Sequence, residues 1–143
     1  MNKNKIINVK NLVKTFEHGQ VKALNSVNLE VSEEEFIAIM GPSGCGKSTL
    51  LHILGGLERP TSGEVMVDSV DLCQMKNLDT FRAKKVGFVF QLHNLIPVLT
   101  AQENVQMPMF ELKLSSKERN ERAEKLLRLV GLENRVDFVP TKL

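Results

Sequence analysis

One ten-residue stretch, GPSGCGKSTL from Gly41 to Leu50, constrains this chain more than any other. It satisfies Gly-x-x-x-x-Gly-Lys-Ser in full, with Gly41, Gly46, Lys47 and Ser48 at the fixed positions. Each residue type has a physical task. Glycines let backbone N–H groups turn inward around an anion with no Cβ in the way. A helix opening at the loop adds the positive end of its dipole. Lys47 brings a point charge to the β- and γ-phosphates of a nucleotide, and the Ser48 hydroxyl can ligate Mg²⁺. At ordinary residue usage the pattern arises by accident in roughly 0.5% of chains this long. The flanks agree with it. FIAIM (36–40) is apolar throughout and runs straight into the loop, as a strand buried on both faces does. Behind the loop, KSTLLHILGGL spaces Leu50, Leu51, Leu54 and Leu57 for a helix that Gly55 and Gly56 weaken near its end.

Other segments fill in a layered α/β core. IINVKNL (6–12) reads as a first strand, and VNLEV (27–31) as a half-buried one with Val27, Leu29 and Val31 on one face. EVMV (64–67) and VGFVF (86–90) are two more short strands, the former after a turn punctuated by Pro60 and Gly63. Strand, loop, helix, strand in that order argues for α/β layers. After Gln91 the character becomes helical. TAQE (100–103) and SSKE (115–118) both fit the capping box. The second opens an amphipathic helix with Ala123, Leu126, Leu127 and Val130 as its apolar stripe. Glu121–Lys125 and Glu124–Arg128 are spaced for ion pairs on its wet side, and Gly131 for a C-cap.

Composition excludes several function classes. The 143 residues make one domain or part of a larger one. A net charge of +2 is too small to argue for a nucleic-acid partner. The early lysines Lys3, Lys5, Lys10 and Lys14 are scattered and read as a solvated face. No apolar run is long enough to span a bilayer, and MNKNKIINVK lacks the apolar core of a signal peptide. The chain is therefore expected in the cytoplasm unless a partner holds it at a membrane. Two cysteines, Cys45 and Cys73, make neither a disulfide framework nor a metal site.

The loop, with LHILGGLERPTSGEV behind it and VGFVFQLHNLIPVLTAQENV further on, resembles the ATP-binding subunits of ABC transporters. The similarity is greatest to the lipoprotein-releasing, macrolide-export and antimicrobial-peptide-export group, and it runs from about residue 5 to the last residue. The fold it implies is an α/β P-loop NTPase core with an antiparallel β portion near the N-terminus and the start of a helical subdomain. The resemblance also implies that the C-terminal part of the usual domain lies beyond the stretch matched by these residues. Residues 1–94 correspond to the β portion and P-loop core through the Q-loop, and 95–143 to a partial helical subdomain. The resemblance implies that Gly41, Ser43, Gly44, Cys45, Gly46, Lys47, Ser48 and Thr49 cradle ATP, Thr49 at the α-phosphate. Thr49 as helix packing is the other reading. Phe16 matches the aromatic that stacks on adenine, where the family usually has Tyr; a Phe keeps the π-face. The competing reading of Phe16 is a core aromatic at a strand end. Gln91 matches the Q-loop glutamine, which contacts Mg²⁺ and the attacking water, so the expected catalytic residues are Lys47 and Gln91 and the metal ligands Ser48 and Gln91. Leu95, Ile96, Val98 and Leu99 are either a contact to the membrane partner or subdomain core. His18, His52 and His93 match no catalytic position.

Two residues depart from the family pattern. Cys45 stands where Ser is commoner, beside Lys47 and a helix N-terminus, so its alkylation is expected to block nucleotide binding and ATP to protect it. Glu34 stands where the family prefers Gly. A Walker B strand, a catalytic Glu, a signature loop and a switch His are not found. Asp68 in VMVD follows too few apolar residues, with no Glu after it, and reads as a strand-end residue. In the resemblance Leu143 falls on the first residue of the signature loop. The parent is expected to hydrolyse ATP for an exporter, as a homodimer or heterodimer of ATP-binding subunits beneath transmembrane permease subunits, on the cytoplasmic face of the membrane. The 143 residues alone are expected to bind Mg-ATP with little or no turnover. A nucleotide-binding regulatory or scaffold module is the alternative, and a GTPase is disfavoured because no NKxD-type motif is present.

Overall fold

Strand β1, Lys5–Phe16, lies inside a four-stranded antiparallel sheet, between β2 (Val21–Ser32) and β3 (Ser62–Val67). A short β4, Val70–Asp71, closes the edge, giving the order β2-β1-β3-β4. The computed structural model describes residues 4–90 and 94–143, in two compact units, Met1–Phe88 and Val89–Leu143. Simple alternation would put Val9 and Leu12 on opposite faces, yet both are fully buried in one core. A bulge explains this. The register slips between Val9 and Leu12, and Asn11 takes φ 48 there, its N–H donating to Asn28 Oδ1 at 2.9 Å. The bulge pushes the Asn11 carbonyl towards β3, where a Cβ on Gly63 would sit 2.6 Å from that oxygen. Gly63, at φ 101, is therefore the residue that lets β3 pair with a bulged neighbour.

Helix α1, Lys47–Leu54, covers the sheet with Leu50, Ile53 and Leu54, which join Val9, Leu12, Leu24 and Val65 in the core. The buried stripe runs through Ile53, while Leu51 and Leu57 are exposed, contrary to the spacing expected from the sequence. The early stop of α1 at Leu54 leaves Leu57 outside the helical period. Helix α2, Leu78–Lys85, adds Leu78 and Phe81, and Asn77 caps it by accepting from the Asp79 N–H at 2.8 Å.

Two expected strands are not formed. Residues 36–40 and 86–90 carry no strand assignment. Phe36 is 95% exposed and Met40 88%, and within FIAIM it is Ile39 that packs on the core. A strand buried on both faces needs strands beside it and layers above and below. The four described strands are all engaged in the antiparallel sheet. Of the early lysines, Lys3 lies outside the described residues, and the reading needs correcting at Lys14. Lys14 is not on a solvated face; only 11% of its side chain is exposed.

The second unit holds α3 (Ala101–Gln106) and α4 (Ser116–Leu129). Both capping boxes form, Thr100 with Glu103 and Ser115 with Glu118. Ala101, Ala123 and Leu127 are buried, and Gln106 Nε2 donates to Asn120 Oδ1 at 2.8 Å across the helix pair. Leu126 and Val130 stay exposed, so the buried stripe of α4 is narrower than expected. Glu121 pairs with Lys117 at 3.9 Å, and Glu124 accepts from Gln102 at 3.4 Å, in place of the expected Glu121–Lys125 and Glu124–Arg128 pairs. Gly131, φ 74, ends α4 in a Schellman arrangement, with its N–H on Arg128 O and the Leu132 N–H on Leu127 O.

Candidate phosphate-binding site

Gly41, Gly44 and Gly46 all have positive φ, of 155, 79 and 91 degrees. At Gly46 that conformation coincides with a close approach. A Cβ there would lie 2.4 Å from the Ala23 carbonyl oxygen of β2 and 2.9 Å from a Leu24 methyl. Gly46 thus lets the loop turn into α1 while lying against β2. It is also the N-cap of α1, and no side chain caps that end. α2, α3 and α4 are each capped by an Asn, Thr or Ser. The first-turn N–H groups of α1 are left for an external acceptor, as an anion site requires.

Lys47 opens the helix and folds back over the loop. Its ammonium donates to Gly41 O at 2.9 Å, to Pro42 O at 2.7 Å and to Cys45 Sγ at 3.6 Å. All three N–H donors of the lysine are engaged by the loop. Loop carbonyls and a thiol thereby take the directions that phosphate oxygens would take. The Ser48 hydroxyl is exposed on the same turn, Thr49 is half-buried beside it, and Ser43, Gly44 and Cys45 are exposed. A Cβ at Gly44 would meet nothing within 4 Å, so the loop tip faces open space. Backbone donors, the Lys47 cation and the exposed Ser48 hydroxyl around an open loop fit a polyphosphate with its divalent ion.

Phe16 ends β1 opposite Val21 and is 37% exposed. Val21 is two residues before Ala23, which backs Gly46, so the ring lies about two strand residues, or roughly 7 Å, along the sheet from the loop's support. Sequence reasoning missed what lies under the ring. Lys14 Nζ sits 4.7 Å from the ring centroid, and it donates to Glu58 Oε1 at 2.7 Å and to Arg59 O at 2.8 Å. The Lys14 hydrogen bond, opposed by partial burial, holds the Glu58 carboxyl below the usual carboxylate range. The available signal was the spacing, since residues two apart in a strand share a face.

The remaining expectations divide. Gln91 and His93 lie outside the described residues. His18 and His52 are exposed. Leu95, Ile96 and Val98 are exposed and Leu99 half-buried, in a segment pinned by Asn104, whose side chain accepts from Ile96 N and donates to Leu99 O and Thr100 O. Asp68 directly follows β3, takes φ 46 and pairs with Lys85 at 2.5 Å. Glu34 takes φ 65, the left-handed backbone that a glycine would favour. Among the described residues no group of three or more His, Cys, Asp or Glu is arranged to hold a metal ion, and no helix is long and apolar enough to cross a membrane.

The family model described as ABC transporter matches residues 24–143. An uncharacterized ABC transporter ATP-binding protein of Thermotoga maritima is 47% identical over 143 residues, 97% of this chain and 61% of its own length. The lipoprotein-releasing system ATP-binding protein LolD of Bacteroides thetaiotaomicron is 43% identical over 96% of this chain and 63% of its own length. Among solved structures, the ATP-binding cassette MJ0796, seen as a dimer in a post-hydrolysis state bound to ADP and Pi, superposes with TM-score 0.85 at 43% identity, covering 96% of this chain and 62% of that one. The same cassette is known from Methanocaldococcus jannaschii. This chain spans about three fifths of the length of the curated relatives it matches. With its Gly-x-x-x-x-Gly-Lys-Ser loop inside the matched region and its relatives similar along nearly all of it, this chain belongs to the ABC transporter family, on the ATP-binding side.

Proposed function

We propose that this chain binds ATP with Mg²⁺ through Gly41, Ser43, Gly44, Cys45, Gly46, Lys47, Ser48 and Thr49, with Phe16 against the adenine and Gln91 at the metal and the attacking water. The observation that carries the reading is the uncapped N-terminus of α1 behind a loop whose own oxygens hold Lys47. On phosphate entry the Lys47 ammonium exchanges two carbonyls for phosphate oxygens, which are stronger, charged acceptors. The first-turn N–H groups and the α1 dipole orient the polyphosphate, and the Ser48 hydroxyl holds one position of the divalent ion. Mg²⁺, held by the Ser48 hydroxyl, would supply positive charge against the polyphosphate. In the parent protein this arrangement serves ATP hydrolysis that powers export, with a second ATP-binding subunit and transmembrane permease subunits at the cytoplasmic face of the membrane. The relatives support that reading, since one is part of a lipoprotein-releasing system and one cassette is dimeric.

The test is nucleotide binding by the purified chain. ATP with Mg²⁺ binds the unaltered chain, and Lys47→Ala weakens it at least about tenfold, the scale set by losing a charge-assisted contact. Equal affinity in Lys47→Ala would remove the loop from the site. Turnover by the chain itself should be slow or absent, and a rate typical of enzymes, with contaminants excluded, would contradict this.

A further inference from the structure

The geometry points to Lys14 as the positioning residue of the base site: it braces Phe16 from beneath and couples the ring to the end of the phosphate-loop helix. This rests on the proposed stacking of adenine on Phe16. Lys14 is nearly buried, so the ring face it covers at 4.7 Å is the inner one. The exposed part of Phe16 is then the outer face, the one a base can reach.

The lysine is not free to wander. Glu58 Oε1 and Arg59 O both hold its ammonium. Arg59 is itself anchored through its guanidinium to the carbonyls of Met75 and Lys76, at 2.8 and 2.9 Å. Neighbouring bonds fix the same strand end, with Thr15 N on Thr61 Oγ1 and Thr61 N on Val13 O. Glu58 leaves α1 directly, since the N–H groups of Leu57 and Glu58 both donate to His52 O. A continuous path of short contacts therefore runs from the ring, through Lys14 and Glu58, into the helix whose other end carries Lys47 and Ser48. A cation on the inner face also draws ring electron density inward, which suits the outer face to an electron-rich purine. Lys14 thus sets both the orientation and the electronics of the platform without touching the nucleotide.

The experiment compares ATP with inorganic tripolyphosphate, which carries the phosphates and no base, on the full chain with Mg²⁺. Lys14→Met is expected to weaken ATP binding roughly three- to tenfold, the range of a partly desolvated cation–π contact, with tripolyphosphate binding unchanged. Lys14→Arg should restore most of the loss. In a Phe16→Ala background, Lys14→Met should cost nothing further for ATP. Parallel losses for ATP and tripolyphosphate would show a merely structural role and overturn the proposal, as would undiminished ATP binding in Lys14→Met while Phe16→Ala weakens it. If Phe16→Ala itself leaves ATP binding intact, the base-stacking reading fails and this proposal with it. Should Lys14→Met not fold, Glu58→Gln, which loosens the same brace, decides: selective weakening of ATP supports the proposal and its absence refutes it.

Discussion

At the scale of single residues, the two thiols have opposite settings. Cys45 is exposed on the loop, with Sγ 3.6 Å from Lys47 Nζ. Cys73 is half-buried, its Sγ donating to Gly63 O at 3.4 Å, and burial pushes its thiol up. Iodoacetamide at neutral pH should therefore modify Cys45 first, and ATP with Mg²⁺ should slow that modification. Peptide mapping reads the site, and label appearing first on Cys73, or on Cys45 at a rate indifferent to ATP, would contradict the arrangement. Glu34 offers a stability test. Its φ of 65 costs a side-chain-bearing residue about 1–2 kcal/mol, against roughly 0.5–1 kcal/mol of extra unfolded-state entropy for glycine. Glu34→Gly should stabilise the chain by about 0.5 kcal/mol, seen as a higher denaturant midpoint; a lower midpoint would mean the side chain contributes more than its backbone costs. Lys47 and Ser48 stand out in the sequence as candidates because the motif demands those residue types at that spacing. Lys14 does not. A lysine in an alternating strand reads as wet, and only the fold shows Glu58 arriving over it from the end of α1.

Elements differ in how much of their structure is local, and that decides which of them sequence reasoning reaches. The two capping boxes need only four residues each, and both form as expected. Parts of β1, β2 and β3 were also legible, as 6–12, 27–31 and 64–67, and of these 27–31 showed its half-buried face by alternation. The bulge at Asn11 was not, because it is fixed by Asn28 seventeen residues away. FIAIM carries the composition of a buried strand, but pairing is a property of neighbours, and the four described strands pair only with one another. The cap of α4 gives an element-scale prediction. Ser115 Oγ accepts from Glu118 N at 3.3 Å, and the Glu118 carboxylate accepts from Ser115 Oγ at 2.6 Å and Ser115 N at 2.7 Å. These hydrogen bonds, from the hydroxyl first and then the backbone, hold the Glu118 carboxyl below its usual range. A lowered folded value means the stabilisation is complete above the ordinary carboxylate range and is lost as pH falls through the folded value. Ser115→Ala should cost about 1 kcal/mol at neutral pH, and the penalty should shrink below about pH 4 as the carboxylate protonates in both chains. Thermal melts at several pH values measure it; a penalty that grows on acidification would reverse the sign.

For the whole molecule, the decisive quantity is uncovered apolar surface. In the first unit Phe36 and Met40 are almost fully exposed, and in the second Val98, Phe110 and Leu129 are 83%, 60% and 74% exposed. Scattered apolar residues are ordinary on a protein surface, but contiguous ones mark places where something binds. Phe36 and Met40 belong to one run of five apolar residues that leads into the Gly41–Ser48 loop. The curated relatives are longer than the stretch they share with this chain, which spans 61% of the Thermotoga maritima protein. The effect of these residues on the present chain follows from their exposure. The chain should bind the dye ANS in native buffer and self-associate at micromolar to millimolar concentration, as species with open apolar surface do. Phe36→Asp places a charge in the run without removing any core contact, since Phe36 is outside the core cluster. It should lower ANS fluorescence and shift light scattering towards the monomer, while Val98→Asp tests the second unit in the same way. A chain that stays monomeric and dark to ANS at high concentration would mean that these side chains find cover that the described residues do not show, and FIAIM would then be the first segment to probe, by hydrogen exchange at Ile37 and Ile39, where slow exchange would report strand pairing and fast exchange its absence.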